Sequence, residues 1–323
     1  MTKEIPSLHI VTDNIPLAHY RAMKEVYEKG MEIRTQYDRK DSSGKFLYPP
    51  SKDAQVLISV SNPFNQPRYP AASCCEIGAY IVEILGVKDK LVLPFEKLRS
   101  ELKDGKKLSA TEWPYSYHQR LFDYPLEEGT TVNQIDFVLD KLSKDIITRR
   151  AVATTRVPEI DCLLKDDQPC LGEVQLRCTE DNGEIYLNMN TRWRSRDLFK
   201  AWPDNVVALT FMQQVLANKL GERIGREVKV GGYSDFSYSL HIYGQDIASP
   251  GSMGMTAQQY IDMGEEKVMG RARDSENARD NLVVPQLEDL LAEDKIAEWK
   301  FGEEQIEMIK SFINDLNYGK LMA

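Results

Sequence analysis

A chain of 323 residues, 42% hydrophobic and 28% charged, has the makeup of a globular protein with one large domain or two smaller ones. Its net charge of −9 argues against non-specific nucleic-acid binding, which needs a broad basic face, so no nucleic-acid partner is expected. No apolar run approaches bilayer-spanning length and the segment Met1–Pro6 lacks a signal-peptide core, so a cytoplasmic location without membrane association is expected.

The first helical periodicity runs from Pro16 to Gly30, where Leu17, Tyr20, Met23, Val26 and Tyr27 recur every three or four residues. Arg34 to Pro50 reads as a polar, turn-rich loop, and Gln55 to Val60 as a strand. Cys75 to Gly86 predicts a short buried helix. Thr131 to Lys144 predicts an amphipathic one with Val132, Ile135, Val138, Leu139 and Leu142 inward. The centre of the chain is sheet-like. Ala151 to Thr155 is a short strand, and two alternating runs flank Asn182-Gly183, a strong hairpin signal. Asn205 to Leu220 is dense enough in apolar residues to be a core helix, and Val228 to Tyr243 returns to strand-like alternation. After Gly251 acidic, basic and methionine residues dominate, with helices predicted near Thr256–Gly270, Pro285–Asp294 and Glu303–Leu316. The expected organisation is a catalytic domain over residues 1–250 and a helical C-terminal extension over 251–323.

Five cysteines at irregular spacing do not suggest a disulfide framework, and Cys74 and Cys75 are too close in sequence to bridge each other without strain. Four scattered histidines and no Cys-x-x-Cys leave no metal-ligand cluster, so no metal is expected. No Gly-x-Gly-x-x-Gly follows a strand, which disfavours a dinucleotide enzyme. Three features do stand together. Arg149-Arg150 precede a strand, Gln168-Pro169-Cys170 opens the hairpin, and Arg192-Trp193-Arg194-Ser195-Arg196-Asp197 follows it. Arginine offers a planar donor fork to phosphate oxygens, and nearby positive charge raises the thiolate fraction of a cysteine. Each piece alone has a bland reading: a buried hydrophobe, a solvated pair, a loop held by ion pairs.

In order and spacing, Arg149-Arg150-Ala151-Val152-Ala153, Pro169-Cys170, Arg194-Ser195-Arg196-Asp197, Asp204-Asn205 and His241-Ile242-Tyr243 resemble the thymidylate synthase family. Tyr115–Arg120 and Val132–Ile135 sit where that family has an aromatic loop and a Gln-Ile helix. The resemblance is firm from Trp113 to Asp246 and stops after about Gly251. Leu171 stands where the common pattern has histidine, and the last residues, Tyr318–Ala323, do not match the common closing tail. The chain therefore resembles the divergent, archaeal-type branch and its nucleotide-hydroxymethylating relatives more than the common pattern.

The resemblance implies an α/β (α+β) fold, a large mixed sheet packed by helices. It implies addition of Cys170 to carbon 6 of a pyrimidine nucleoside monophosphate, with proton transfers managed by Tyr117 and a glutamate, Glu76 first and Glu83 as the alternative. Arg39, Arg194 and Ser195 would hold the phosphate, joined by Arg149 and Arg150 from the other subunit of a homodimer with shared active sites. His241 and Tyr243 would take the sugar hydroxyl. Gln175 and Asp197 complete the substrate-binding set, and Asn205 leans toward uracil, with Asp204 beside it as the residue that would favour cytosine. The implied donor is 5,10-methylenetetrahydrofolate or a related tetrahydropterin. Methylation of dUMP stands slightly ahead of hydroxymethylation of a cytidine or uridine monophosphate. The rivals are a hydrolase pairing Cys170 with His241 and a catalytically silent nucleotide-binding protein.

Overall fold

The computed structural model describes residues 4–71, 76–109, 112–126, 129–166, 168–251, 254–319 and 321. Cys74 and Cys75, and with them the expected start of the Cys75–Gly86 helix, lie outside the described residues, as do Lys320, Met322 and Ala323 of the tail. The strands are β1 Ser7–Thr12, β2 Met31–Ile33, β3 Ser51–Val60, β4 Tyr124–Pro125, β5 Thr131–Val132, β6 Val152–Thr154, β7 Leu171–Asp181, β8 Glu184–Trp193, β9 Arg196–Asp197 and β10 Val228–Ile242. The chain divides into two compact units, one of residues 1–75, 192–207 and 232–278, the other of 76–191, 208–231 and 279–323. Residues 251–278 thus count with the first unit and 279–323 with the second.

In the first unit β1 runs parallel to β3, with Ser7 opposite Gln55 and Thr12 opposite Val60. The helix Ile15–Lys29 lies between them in sequence. It starts where the Asn14 side chain accepts the Leu17 N–H at 2.9 Å, with a proline in its first turn, and it stops at Gly30. Ala18, Ala22, Met23 and Val26 are fully buried on one face, as the 3.6-residue period requires. β3 alternates: Ala54, Val56, Ile58 and Val60 are buried, whereas Leu57 is exposed. β10 pairs antiparallel with β3, and its register slips between Ser237 and Leu240. β9 lies parallel to the end of β10, Asp197 opposite His241. Parallel and antiparallel pairings in one sheet, packed by helices, give the α+β class expected. His19, in the helix Ile15–Lys29, is a core histidine. It sits between Tyr260 Oη and the Leu198 carbonyl, both at 3.0 Å, and burial lowers its pKa to about 4.

In the second unit β7 and β8 form the predicted hairpin. Asn182 and Gly183 both adopt positive φ, 51° and 82°, the geometry of a two-residue turn whose twist matches the strands. β6 pairs antiparallel with β7, Val152 opposite Gln175. The helix Gln134–Lys144 buries Ile135, Val138, Leu139 and Leu142 and is capped by Asn133; Val132 is exposed, because the helix begins after it. Gln134 donates to the Thr154 carbonyl at 2.7 Å and accepts the Thr154 N–H at 3.0 Å, which ties that helix to β6.

Three boundaries differ from expectation. The core helix starts at Ala201 instead of Asn205, so Asp204 and Asn205 are buried within its first turns. The helix expected over Thr256–Gly270 is two, Ala257–Asp262 and Glu265–Arg271, because Gly264 turns to φ 78° between them. Pro285–Asp294 likewise resolves into Val284–Leu290 and the start of Glu293–Trp299. β1 and the helix Phe95–Lys103 stand outside the predicted set.

Candidate active site

Cys170 sits immediately before β7 and is half-buried, its Sγ 4.0 Å from the Gln168 carbonyl. Its main chain is held from the helix Tyr117–Phe122. The Tyr117 hydroxyl oxygen accepts both the Cys170 N–H and the Leu171 N–H, each at 3.3 Å. At the following peptide, Thr155 Oγ1 donates to the Leu171 carbonyl. The thiol is therefore mounted on a fixed backbone while the residue keeps partial access to solvent.

The helix under Tyr117 is itself anchored. Ser116 caps it by accepting the Gln119 N–H at 2.9 Å, and His118 Nδ1 lies 2.6 Å from Asp89. Arg120 reaches Asp161 at 3.0 Å, both side chains being almost completely removed from solvent. Asp161 also accepts the Val157 N–H at 2.8 Å and lies 3.4 Å from Arg156. Burial lowers the Arg120 pKa, and Asp161 opposes that shift.

Of the two candidate glutamates, Glu76 is exposed at the start of the helix Ile77–Ile84, on the wall of a cavity of about 410 Å³. Lys88, Gln286, Asp289 and Trp299 share that wall. Glu83 is paired with Lys88 at 3.1 Å, and burial raises its pKa against the pull of that lysine. Arg149 and Arg150 are exposed just before β6, beside Ile147 at 77% exposure. Gln175 is half-buried on β7.

The remaining predicted residues, Arg39, Arg194, Ser195, Asp197, Asn205, His241 and Tyr243, belong to the first unit. Arg39 and Tyr243 line one cavity of about 360 Å³ with Arg34, Tyr37, Lys200 and Gly244. Gly244 is required there: a Cβ at this position would come within 1.8 Å of the Pro49 carbonyl oxygen. Arg194 is exposed and Ser195 half-buried. The Asp197 carboxylate caps the chain ahead of it, accepting the Phe199 and Lys200 N–H groups at 3.0 Å. Burial raises its pKa, and Lys200 at 3.6 Å pulls it down. His241 is buried, its ring 4.5 Å from that of Tyr243.

Four residues of this cluster carry no motif: Lys200, Asp246, Asp53 and Ser239. Lys200 bridges Asp197 and Asp246, the latter at 2.9 Å. Burial alone would depress the Lys200 pKa, but the two carboxylates outweigh it and raise it. The three-residue spacing of Asp197 and Lys200 is a legible ion-pair signal. Asp53 offers none, since only strand register brings it opposite His241.

The thymidylate synthase family profile matches residues 103–282, more than half of the chain. The chain belongs to the thymidylate synthase family. The match extends past Gly251, where the sequence resemblance stops, and takes in the helices Ala257–Asp262 and Glu265–Arg271. Among similar proteins is one of Methanosarcina acetivorans named "Putative thymidylate synthase", 30% identical over 235 residues, 72% of this chain and 88% of that protein. Another of the same name, from Methanocaldococcus jannaschii, is 36% identical over 139 residues, 42% of this chain. The chain spans 58% of that relative's length and 57% of that of a third, from Methanococcoides burtonii. These relatives are archaeal, in keeping with the branch that Leu171 suggests. Among the described residues, no group of three or more His, Cys, Asp or Glu could hold a metal ion, and no helix is long and apolar enough to cross a membrane.

Proposed function

We propose that this thymidylate synthase family member transfers a one-carbon unit to C5 of a pyrimidine nucleoside 5′-monophosphate, with dUMP methylation as the leading reaction. The observation that carries the reading is the mounting of Cys170, half-buried with its backbone N–H and that of Leu171 held by one tyrosine hydroxyl. Carbon 5 of the ring is a poor nucleophile. Addition of the Cys170 thiolate at C6 turns the ring into an enolate whose C5 can form the new carbon–carbon bond. Loss of the C5 proton and departure of the thiolate then restore the ring. Tyr117 and Glu76 serve the proton transfers.

When bound, a methylene-tetrahydropterin would supply the carbon at the oxidation level of formaldehyde and, for the methyl product, the hydride that reduces it; water in place of the hydride would give the hydroxymethyl product. The cavity beside Glu76 fits such a group chemically. Trp299, Leu282 and Pro285 offer apolar and aromatic surface, and Glu76 and Asp289 offer acceptors for a pterin's amino and N–H groups. Arg39, Arg194 and Ser195 supply phosphate donors, and Asn205 supplies the donor and acceptor that match O4 and N3–H of uracil. Hydroxymethylation of CMP, dCMP or dUMP is the second reading, favoured by Leu171. Tritium release from C5-labelled dUMP, dCMP, UMP and CMP with methylenetetrahydrofolate, followed by mass analysis of the product, tests both. No release from any of the four overturns the reading.

Tyr117→Phe removes the oxygen that holds two N–H groups, so turnover falls by about a hundredfold while nucleotide affinity changes little. Single-turnover measurements check this; an unaltered rate would remove Tyr117 from the catalytic set.

The proposal includes a twofold homodimer with shared active sites. In the first unit, Val11, Leu57 and Tyr238 of neighbouring strands leave apolar side chains 58%, 36% and 48% exposed. In the second, Ile147, Arg149 and Arg150 are exposed, which supports a role at another subunit's site. Mixing inactive Cys170→Ala and Arg149→Ala subunits is expected to restore about a quarter of the activity, the share of sites that recover both residues under random pairing. Confirmed heterodimers without recovery would count against shared sites.

A further inference from the structure

The slip in β10 has a chemical result. Before it, Tyr233, Asp235 and Ser237 are the buried positions; after it, Leu240 and Ile242 are fully buried and His241 between them is 7% exposed. The change of phase carries Ser239 and His241 onto the face that Asp53 occupies on β3, and His241 becomes the direct cross-strand partner of Asp53. Ser239 Oγ donates to Asp53 Oδ2 at 2.7 Å and lies 3.4 Å from His241 Nδ1.

Direction follows from donor counting. A serine has one O–H, and here it goes to a carboxylate oxygen, which has no proton to offer when ionised. The Ser239 oxygen therefore turns a lone pair toward Nδ1, so Nδ1 carries the proton. The Ser239 main-chain carbonyl is a second acceptor for the same ring. A neutral imidazole protonated at Nδ1 has a bare lone pair at Nε2. That atom is buried and makes no hydrogen bond among the described residues. Charged groups surround the ring from several elements: Asp53 on β3, Arg194 after β8, and Lys200 and Asp246 in the segments beyond β9 and β10. The Tyr243 ring covers one side.

We propose that Ser239 and Asp53 are positioning residues that fix His241 in the Nδ1-protonated form, so that Nε2 accepts a hydrogen bond from a sugar hydroxyl of the nucleotide. A buried acceptor without a donor is costly, and a ligand hydroxyl satisfies it. Nucleotides lacking the sugar hydroxyls forfeit this bond. The assignment rests on the nucleotide reading for its ligand, but not for its tautomer.

The test has two arms. In full-length protein carrying ¹⁵N-labelled histidine, the His241 resonances at neutral pH should show Nδ1 protonated and Nε2 bare. Ser239→Ala should shift this balance toward the other tautomer, and Ser239→Thr should restore it. Protonation at Nε2 in the unsubstituted protein overturns the chain. In the second arm, KM and kcat are compared for dUMP and for its 2′,3′-dideoxy analogue. Ser239→Ala and Asp53→Asn should each raise KM for dUMP about tenfold, leave kcat within about twofold, and leave the dideoxy compound nearly unaffected. Equal losses on both substrates would reduce Ser239 and Asp53 to structural roles. If no pyrimidine nucleotide binds at all, the enzymatic reading falls and the hydroxyl ligand with it, while the histidine spectrum still decides the tautomer.

Discussion

Replacing Cys170 by alanine is expected to lower the release of tritium from C5-labelled nucleotide by at least about 10⁴-fold, while the nucleotide Kd stays within about threefold. The size follows from what the thiolate does. Without covalent addition at C6 the ring has no route to a nucleophilic C5. Binding is spared because the groups assigned to phosphate, sugar and base lie on other segments: the Arg39 loop, the Arg194-Ser195 turn, His241-Tyr243 and Asn205. The fold is spared because Leu171, not Cys170, is the fully buried member of the pair, and the Tyr117 contacts use backbone N–H groups that alanine retains. Full activity in the alanine variant would sink the covalent mechanism. Equal loss of binding would place the defect in folding. Serine is the sharper control, since its size is close to that of cysteine and its hydroxyl is far less ionised.

Asp161→Ala is expected to destabilise the second unit by about 3–5 kcal/mol, the cost of leaving a buried charge without its partner. Asp161 is completely buried and Arg120 is 1% exposed, so solvent cannot take over the pairing. The substitution also strips the acceptor from the Val157 N–H. An apolar replacement of both partners should cost much less, because the penalty comes from the orphaned guanidinium and not from the lost attraction. Urea titration of the single and double variants measures this difference, and identical midpoints would refute it. Catalysis is expected to suffer before stability fails. Arg120 lies in the helix that begins at Tyr117, so loosening that helix releases the hydroxyl from the Cys170 backbone.

The candidate site is legible in the sequence as far as its residues come in short ordered motifs. Cys170, Tyr117, Asp197, His241 and Tyr243 each sit at or beside an element end, where Pro-Cys and His-x-Tyr spacings survive as local patterns. The hairpin was legible for the same reason, since Asn182-Gly183 dictates its own turn. What escaped depends on tertiary placement. β1 has only six residues, and its parallel partner lies more than forty positions away. Asp53 is an ordinary strand aspartate until β10 is laid beside it. The core helix begins before its dense apolar run, at Ala201, because Pro203 fits within the first turn of a helix. The split at Gly264 was missed because a single glycine in a helical pattern costs only about 1 kcal/mol, too little to force a break on its own.

The slip between Ser237 and Leu240 makes the length of β10 as informative as its composition. Removing one residue from that stretch would leave every side chain type available yet exchange the destinations of Leu240 and His241: an imidazole would enter the core and a leucine would face Asp53. Sequences aligned across this strand without regard to the extra residue would still match letter for letter over most of its length. They would nonetheless describe a protein whose histidine points the wrong way.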